Sequence, residues 1–117
     1  MMPRRASPSM PDVARSVARG LAAGLPLVDA FRRGSESVDD ETGRVMAECV
    51  GGLEAGDPLV AALAPLTAED GGVIVTAAID LQQELGGDLV AALLGIAEGL
   101  SDRERLRLEA RAITAQA

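Results

Sequence analysis

Carboxylates are the only side chains in this sequence with the numbers and spacing for acid–base or metal chemistry. Glu84 lies four residues from Asp80 and four from Asp88, and Glu36, Asp39, Asp40 and Glu41 crowd together ahead of Glu48, Glu54 and Asp57. Carboxylate pairs suit general acid–base work, and a dense acidic run suits a divalent cation or a basic partner surface. The helpers such chemistry needs are missing. The chain has no histidine, and all 11 of its basic residues are arginines. That removes the usual general base near neutral pH, the usual metal ligand, and lysine for Schiff-base or phosphate-loop chemistry. Cys49 has no histidine to activate it and reads as a core residue. Ser35, Thr76 and Thr114 have no base either. The acidic run lacks the alternating ligands of a calcium loop and reads as a solvated loop and helix start, where acids are favourable. Asp80, Glu84 and Asp88 read as a helix face and a cap. No catalytic, cofactor-binding or metal residue is assigned.

Composition narrows the function classes further. Net charge is −7, and Phe31 is the only aromatic residue among 117. Base stacking on aromatic rings is therefore excluded, and the overall charge repels nucleic acid and anionic lipid, leaving at most a local basic patch. Any core must be built from Leu, Val, Ile, Ala and Met, and the length fits one domain with a modest core. A lone cysteine forms no internal disulfide, which fits a reducing compartment. The opening MMPRRASPSMPD has arginines but no apolar run behind them, and is not a signal peptide. The longest apolar run, LVAALLGIA from Leu89 to Ala97, falls far short of the roughly 20 residues of a membrane span, so the chain is expected to be soluble with no transmembrane segment.

The elements that must position these side chains all read as helices. Residues 1–10 form a disordered lead-in, and the helical domain spans 11–117. Ser9 caps a first helix with Pro11 in its first turn and Val13, Val17 and Leu21 as its stripe, ending at Gly24. Pro26 starts a second helix with Leu27, Ala30 and Phe31 inward, and a polar connection runs from Arg32 to Glu41. A third helix, Asp40 to Ala55, buries Met46, Cys49, Val50 and Leu53. Its glycines, Gly43, Gly51 and Gly52, either admit a close neighbour or leave it loose. Pro58 opens a fourth helix with Leu59, Ala62, Leu63 and Leu66. Thr67 caps a fifth, with Ile74, Ala77, Ala78, Leu81 and Leu85 as its stripe. Asp88 caps a sixth, with Leu89, Leu93, Ile96 and Leu100 inward. The β-branched run Val73 to Thr76 favours extended structure, but the stripe continuing to Leu85 decides for helix. The fold class is all-α.

One phrase recurs: AAGLPLVDAF at 22–31, EAGDPLVAAL at 54–63 and ELGGDLVAAL at 84–93. A glycine closes one helix in the left-handed conformation, a proline or aspartate starts the next, and the leucine that follows anchors it. Gly24, Pro26, Gly56, Pro58, Gly86 and Gly87 are thus the expected turn residues. Leu27, Leu59 and Leu89 stand about 30 residues apart, so three αα-hairpins would make a six-helix antiparallel bundle with a long last helix. A superhelical repeat array shares that period, though three hairpins barely supply one. Generic helix punctuation in a chain rich in Gly, Ala and Leu is the alternative to true periodicity.

The stretch from Leu85 to Ala117, LGGDLVAALLGIAEGLSDRERLRLEARAITAQA, resembles the end of the soluble domain of the type II secretion system F family, closest to its tight-adherence (Tad) pilus branch. The shared features are Gly86, Gly87, Leu89 and Leu93, then an arginine-rich amphipathic helix with Arg103, Arg105, Arg107 and Arg111, then the alanine-rich close from Ala112. LAAGLPLVDAF and GLEAGDPLVAAL resemble the opening and middle turns of the same domain. The resemblance implies a non-enzymatic cytoplasmic domain of an inner-membrane platform protein. Its implied partners are the secretion or pilus assembly ATPase, other platform components and further copies of itself, with no cofactor and no nucleic acid. Members carry flanking transmembrane helices, and this chain shows none.

The last helix holds the candidate partner-binding residues Arg103, Leu106, Arg107, Leu108, Arg111 and Ile113. Ser101 and Glu104 match a capping box that would start a new helix, but one long helix from Asp88 to about Ala115, roughly 40 Å, is the preferred reading. Past Leu100 the core seam turns into Arg103 and Arg107, so the helix must leave the bundle. Two readings stay open there: a partner or membrane-proximal surface, and a frayed basic end complementing the helix dipole. A second functional class, a small helical regulator binding nucleic acid through Arg103 to Arg111, is weakened by the net charge.

Overall fold

The computed structural model describes residues 7–85 and 87–116, and all regular structure among them is helical. Its helices are α1 (Met10–Ala22), α2 (Leu27–Ser37), α3 (Asp40–Glu54), α4 (Leu59–Ala62), α5 (Ala64–Thr67), α6 (Gly72–Leu85) and α7 (Leu89–Gln116). The Ser9 hydroxyl caps α1 by accepting from the Asp12 N–H at 3.3 Å, while the Ser9 N–H donates to the Thr42 hydroxyl on α3 at 2.9 Å. The first helix is thus tied to the third from its first residue. Met10, assigned to the lead-in by sequence, heads α1 and is buried. Residues 1–6 lie outside the described residues.

Two of the repeated corners are the same object. Gly24 has φ +89° and Gly56 has φ +79°. At the first, Leu25 N–H donates to the Gly20 carbonyl and Gly24 N–H to the Leu21 carbonyl; at the second, Asp57 N–H donates to Gly52 and Gly56 N–H to Leu53. Both are Schellman closures, which satisfy carbonyls that a helix end leaves orphaned. Pro26 and Pro58 then stand at the N-cap positions of α2 and α4. At the third corner Gly86, and with it the expected turn glycine, lies outside the described residues; the Asp88 carboxylate caps α7 by accepting from the Ala91 N–H at 3.0 Å. A corner unforeseen in the sequence sits at Gly71, with φ +84°.

α1 is the central strut. It packs on α2, α3, α6 and, most extensively, α7, while α3 carries α4 and α5, and α6 joins α5 to α7. Val13, Val17, Phe31, Val45, Met46, Cys49, Leu63, Leu66, Val75, Ile79 and Leu93 form one contiguous core. Glycines let the helices approach. A Cβ on Gly20 would stand 2.7 Å from that of Ala30, and one on Gly34 would stand 2.5 Å from Met46 Cε. Gly43 and Gly52 likewise lie against Ser35 and Ala62, so the third helix owes at least these two glycines to close contact rather than to looseness; Gly51 faces open space.

Several sequence expectations are corrected. The connection expected from Arg32 to Glu41 is helical through Ser37, because Gly34 and Phe31 on that helix are buried against its neighbours. The expected fourth helix is two short ones, α4 and α5. Pro65 in the first turn of α5 lacks an N–H and its ring crowds the preceding turn, which interrupts the helix. Thr67 caps nothing: it ends α5 and its hydroxyl donates to the Ala64 carbonyl. The stripe of α6 is rotated. Gly72, Val75, Thr76 and Ile79 face inward, whereas Ile74, Leu81 and Leu85 are exposed. The cause is Gly72, whose backbone sits so close to Leu66 that a Cβ there would lie 1.5 Å from the Leu66 carbonyl oxygen. That contact fixes which side of α6 turns inward.

The rotation buries Thr76, whose hydroxyl has no hydrogen-bond partner. An unsatisfied buried hydroxyl costs about 1–3 kcal/mol. Thr76→Val, which keeps the shape and removes the polar atom, is therefore expected to raise stability by about 1 kcal/mol in urea unfolding. A lower midpoint would show that the hydroxyl is satisfied.

Candidate partner-binding surface

α7 has two halves with different jobs. Its first half carries Leu89, Leu93 and Ala97 into the core, with Ile96 and Leu100 half-buried. From Asp102 onward every described residue is exposed. The helix is unbroken over 28 residues, about 42 Å, so the capping-box pattern at Ser101 and Glu104 starts nothing. Ser101 instead accepts a hydrogen bond from Arg15 Nη2 at 2.7 Å, which pins the middle of α7 to α1.

One turn beyond, two guanidinium groups meet one carboxylate. Arg103 Nη2 donates to Asp70 Oδ1 at 3.0 Å, and Arg107 Nη1 donates to Asp70 Oδ2 at 2.8 Å. Asp70 stands just before α6, so this clamp closes the gap between the start of α6 and the shaft of α7. The two residues that sequence reasoning sent away from the core are held at its edge. The Arg107 hydrogen bond outweighs the opposing desolvation and, with the charges of Arg103 and Arg107, holds the Asp70 carboxyl below its ordinary value. A depressed folded-state pKa means the clamp is complete above the unfolded-state value and is lost as pH falls through the lower folded value. Carboxyl NMR should therefore find Asp70 titrating below an ordinary aspartate and returning toward it in Arg107→Gln. An unmoved titration would mean the clamp does not form.

Around and past the clamp the helix is exposed. Leu106 is 58%, Leu108 53% and Ile113 70% exposed. Arg105 reaches only Asp102, one turn back at 3.6 Å, and Arg111 has no ion pair among the described residues. The last turn of α7 holds no basic residue, which removes the support for a dipole-complementing end. Of the six expected contact residues, Arg103 and Arg107 are thus engaged, while Leu106, Leu108, Arg111 and Ile113 are left free on one projecting rod.

The other candidate chemistry disperses. Asp39 caps α3 through the Thr42 N–H at 2.9 Å, Arg44 pairs with Glu41 and Glu48, and Arg32 pairs with Asp29 and Glu54. Among the described residues no group of three or more His, Cys, Asp or Glu is placed to hold a metal ion. Cys49 is fully buried, and burial pushes its thiol up to about 12, so it is not a thiolate near neutral pH.

The family model for Type II secretion system (T2SS), protein F, matches residues 13–117. The chain belongs to the T2SS protein F family. The match takes in all of α7, including the projecting turns, so the exposed rod is part of the family's domain and not an appendage to it. Proteins of the T2SS F family are membrane platform proteins rather than enzymes. Among the described residues of this F-family domain, no helix is long and apolar enough to cross a membrane. No curated protein and no solved structure gives a significant match to it.

Proposed function

We propose that this domain is the non-enzymatic cytoplasmic part of an inner-membrane platform in type II secretion or Tad/type IV pilus assembly. In this reading it docks to the assembly ATPase through the outer turns of α7, and copies associate with one another and with other platform components. With α4 and α5 taken as one interrupted helix, the domain is three αα-hairpins. The carrying observation is the projecting rod, on which Leu106, Leu108 and Ile113 stand exposed among Arg105 and Arg111. Exposed leucines among guanidinium groups fit an acidic, partly apolar partner surface. The Tad branch rests on the paired glycine at 86–87 and the close from Ala112. Nucleic acid is disfavoured because Asp102, Glu104 and Glu109 alternate with the arginines and Asp70 occupies two of them. Binding of the full chain to the purified assembly ATPase is the test. Binding that weakens when Leu106 and Ile113 are replaced supports the reading; no binding overturns it.

A further inference from the structure

We infer that the cleft between α1 and α2 bordered by Arg19 and Arg33 is a binding site for the dianion of a phosphate monoester. The site is separate from the α7 surface and shares no residue with it. The chain has 18 acids against 11 arginines, and its arginines are largely taken up by them. Arg15, Arg32, Arg44, Arg103, Arg105 and Arg107 each hold a carboxylate. Among the described residues Arg19, Arg33 and Arg111 have no ion pair. Two of these three border one cleft.

The register of the first hairpin brings the two together. Gly20 lies against Ala30, and Gly34 against Ser16, so α1 and α2 run antiparallel. In that register Arg19 and Arg33 are offset by about two residues, roughly 3 Å along the helix axes. Each stands one position before a close-contact glycine, and both flank the same side of the groove. The cleft measures about 290 Å³. Ser16, Gly20, Ala23, Gly34 and Ser37 complete its lining, and no carboxylate is among them. Ligand clefts run from about 300 to 1,000 Å³, so this one suits a small ligand.

Local causes account for one arginine and not for the other. Arg19 stands in the last turn of α1, where a cation complements the helix dipole. Arg33 has no such place, since the last turn of α2 holds no basic residue. Asp29 and Glu36 lie one turn to either side of Arg33 and do not pair with it; Asp29 is held by Arg32. No acid lies within one turn of Arg19 on α1. Asp12 and Asp39 line the adjoining stretch of the groove and are occupied, Asp12 by Arg15 and Asp39 in capping α3. Two neighbouring guanidinium groups repel, and an anion between them reverses the sign. A carboxylate balances one of them. A phosphate monoester, with a charge of about −1.5 to −2 near neutral pH and three acceptor oxygens, balances both. Ser16 is committed to the Asp12 carbonyl at 2.7 Å. The exposed Ser37 hydroxyl makes only a 3.2 Å bond to the Gly34 carbonyl, so its hydrogen can turn to a phosphate oxygen. The net charge of −7 opposes approach to an anionic membrane, which favours a soluble phosphate over a lipid headgroup.

Titration of the isotope-labelled full chain with inorganic phosphate at fixed ionic strength, followed by amide and arginine side-chain NMR, tests this. The expected result is saturable shifts at Arg19, Arg33 and Ser37. Arg19→Gln and Arg33→Gln should each weaken binding at least about tenfold, and Arg111→Gln should leave it unchanged. Both arginines in the cleft are exposed, so without phosphate these variants should keep the wild-type thermal midpoint. Acetate should bind at least about tenfold more weakly than phosphate. Sedimentation with vesicles of phosphatidic acid in neutral lipid separates the sources. A chain that stays in the supernatant takes a soluble phosphate; one that pellets and is released by inorganic phosphate takes the same group from lipid. Shifts that rise linearly and equally at all arginines overturn the inference. So does saturable binding that Arg19→Gln and Arg33→Gln leave unchanged, and acetate binding as tightly as phosphate overturns the selection of a dianion.

Discussion

Phe31→Ala is expected to lower stability by about 3–5 kcal/mol, the largest single effect in the core. Phe31 is the only aromatic side chain and is fully buried on α2, which packs against both α1 and α3. Its surroundings cannot collapse into the space. Gly20 holds α1 against Ala30, and Gly34 holds α2 against Met46, so both flanks of the site are already at contact distance. The cavity therefore remains, and its cost adds to the lost burial. Small domains have about 5–15 kcal/mol in total, so the thermal midpoint should fall by on the order of 15 °C. Phe31→Leu keeps most of the volume and should cost less. Unfolding followed by circular dichroism measures both. Equal midpoints for wild type and Phe31→Ala would show that the first hairpin is not locked as described.

The second large effect should leave stability untouched. Leu106→Glu combined with Ile113→Glu is expected to weaken binding to the assembly ATPase by about 100-fold. Each is an exposed apolar anchor whose loss typically costs on the order of 1–2 kcal/mol in an interface, and about 1.4 kcal/mol is a factor of ten. Both side chains are exposed and touch no core residue, so the thermal midpoint should not move. Leu93→Ala, by contrast, removes a fully buried side chain from the other half of the same helix and should lower the midpoint. A double variant that unfolds would assign the rod to the core. One that binds as wild type would remove the rod from the interface.

The corners at Gly24 and Gly56 were legible because a helix stop followed by a helix start is written in adjacent residues. The fold class was legible for the same reason. What the sequence hid lies in backbone approaches and tertiary contacts that no local side-chain pattern encodes. α6 carries apolar residues on both sides, so its periodicity offers two equal stripes; the choice is made by the backbone of Gly72 meeting the Leu66 carbonyl, which no side-chain pattern encodes. Residues Arg32 to Ser37 look like a loop by composition, yet burial of Gly34 holds them in a helix, a tertiary contact overriding weak propensity. The rod divides in the same way. The break in the seam at Arg103 and Arg107 was visible, because a core does not accept unpaired guanidinium groups. Their acceptor was not, since Asp70 stands more than thirty residues upstream.

Hydrogen exchange on the full chain, alone and saturated with the assembly ATPase, bears most directly on the central claim. In the free chain, kept dilute enough to be monomeric, the amides of residues 108–116 should exchange fast, since these turns are exposed and helical hydrogen bonds without tertiary cover open readily. In the complex the same amides should slow strongly, while those of α1 to α3 stay unchanged. Protection that falls on α1 to α3 while residues 108–116 continue to exchange freely would contradict the account.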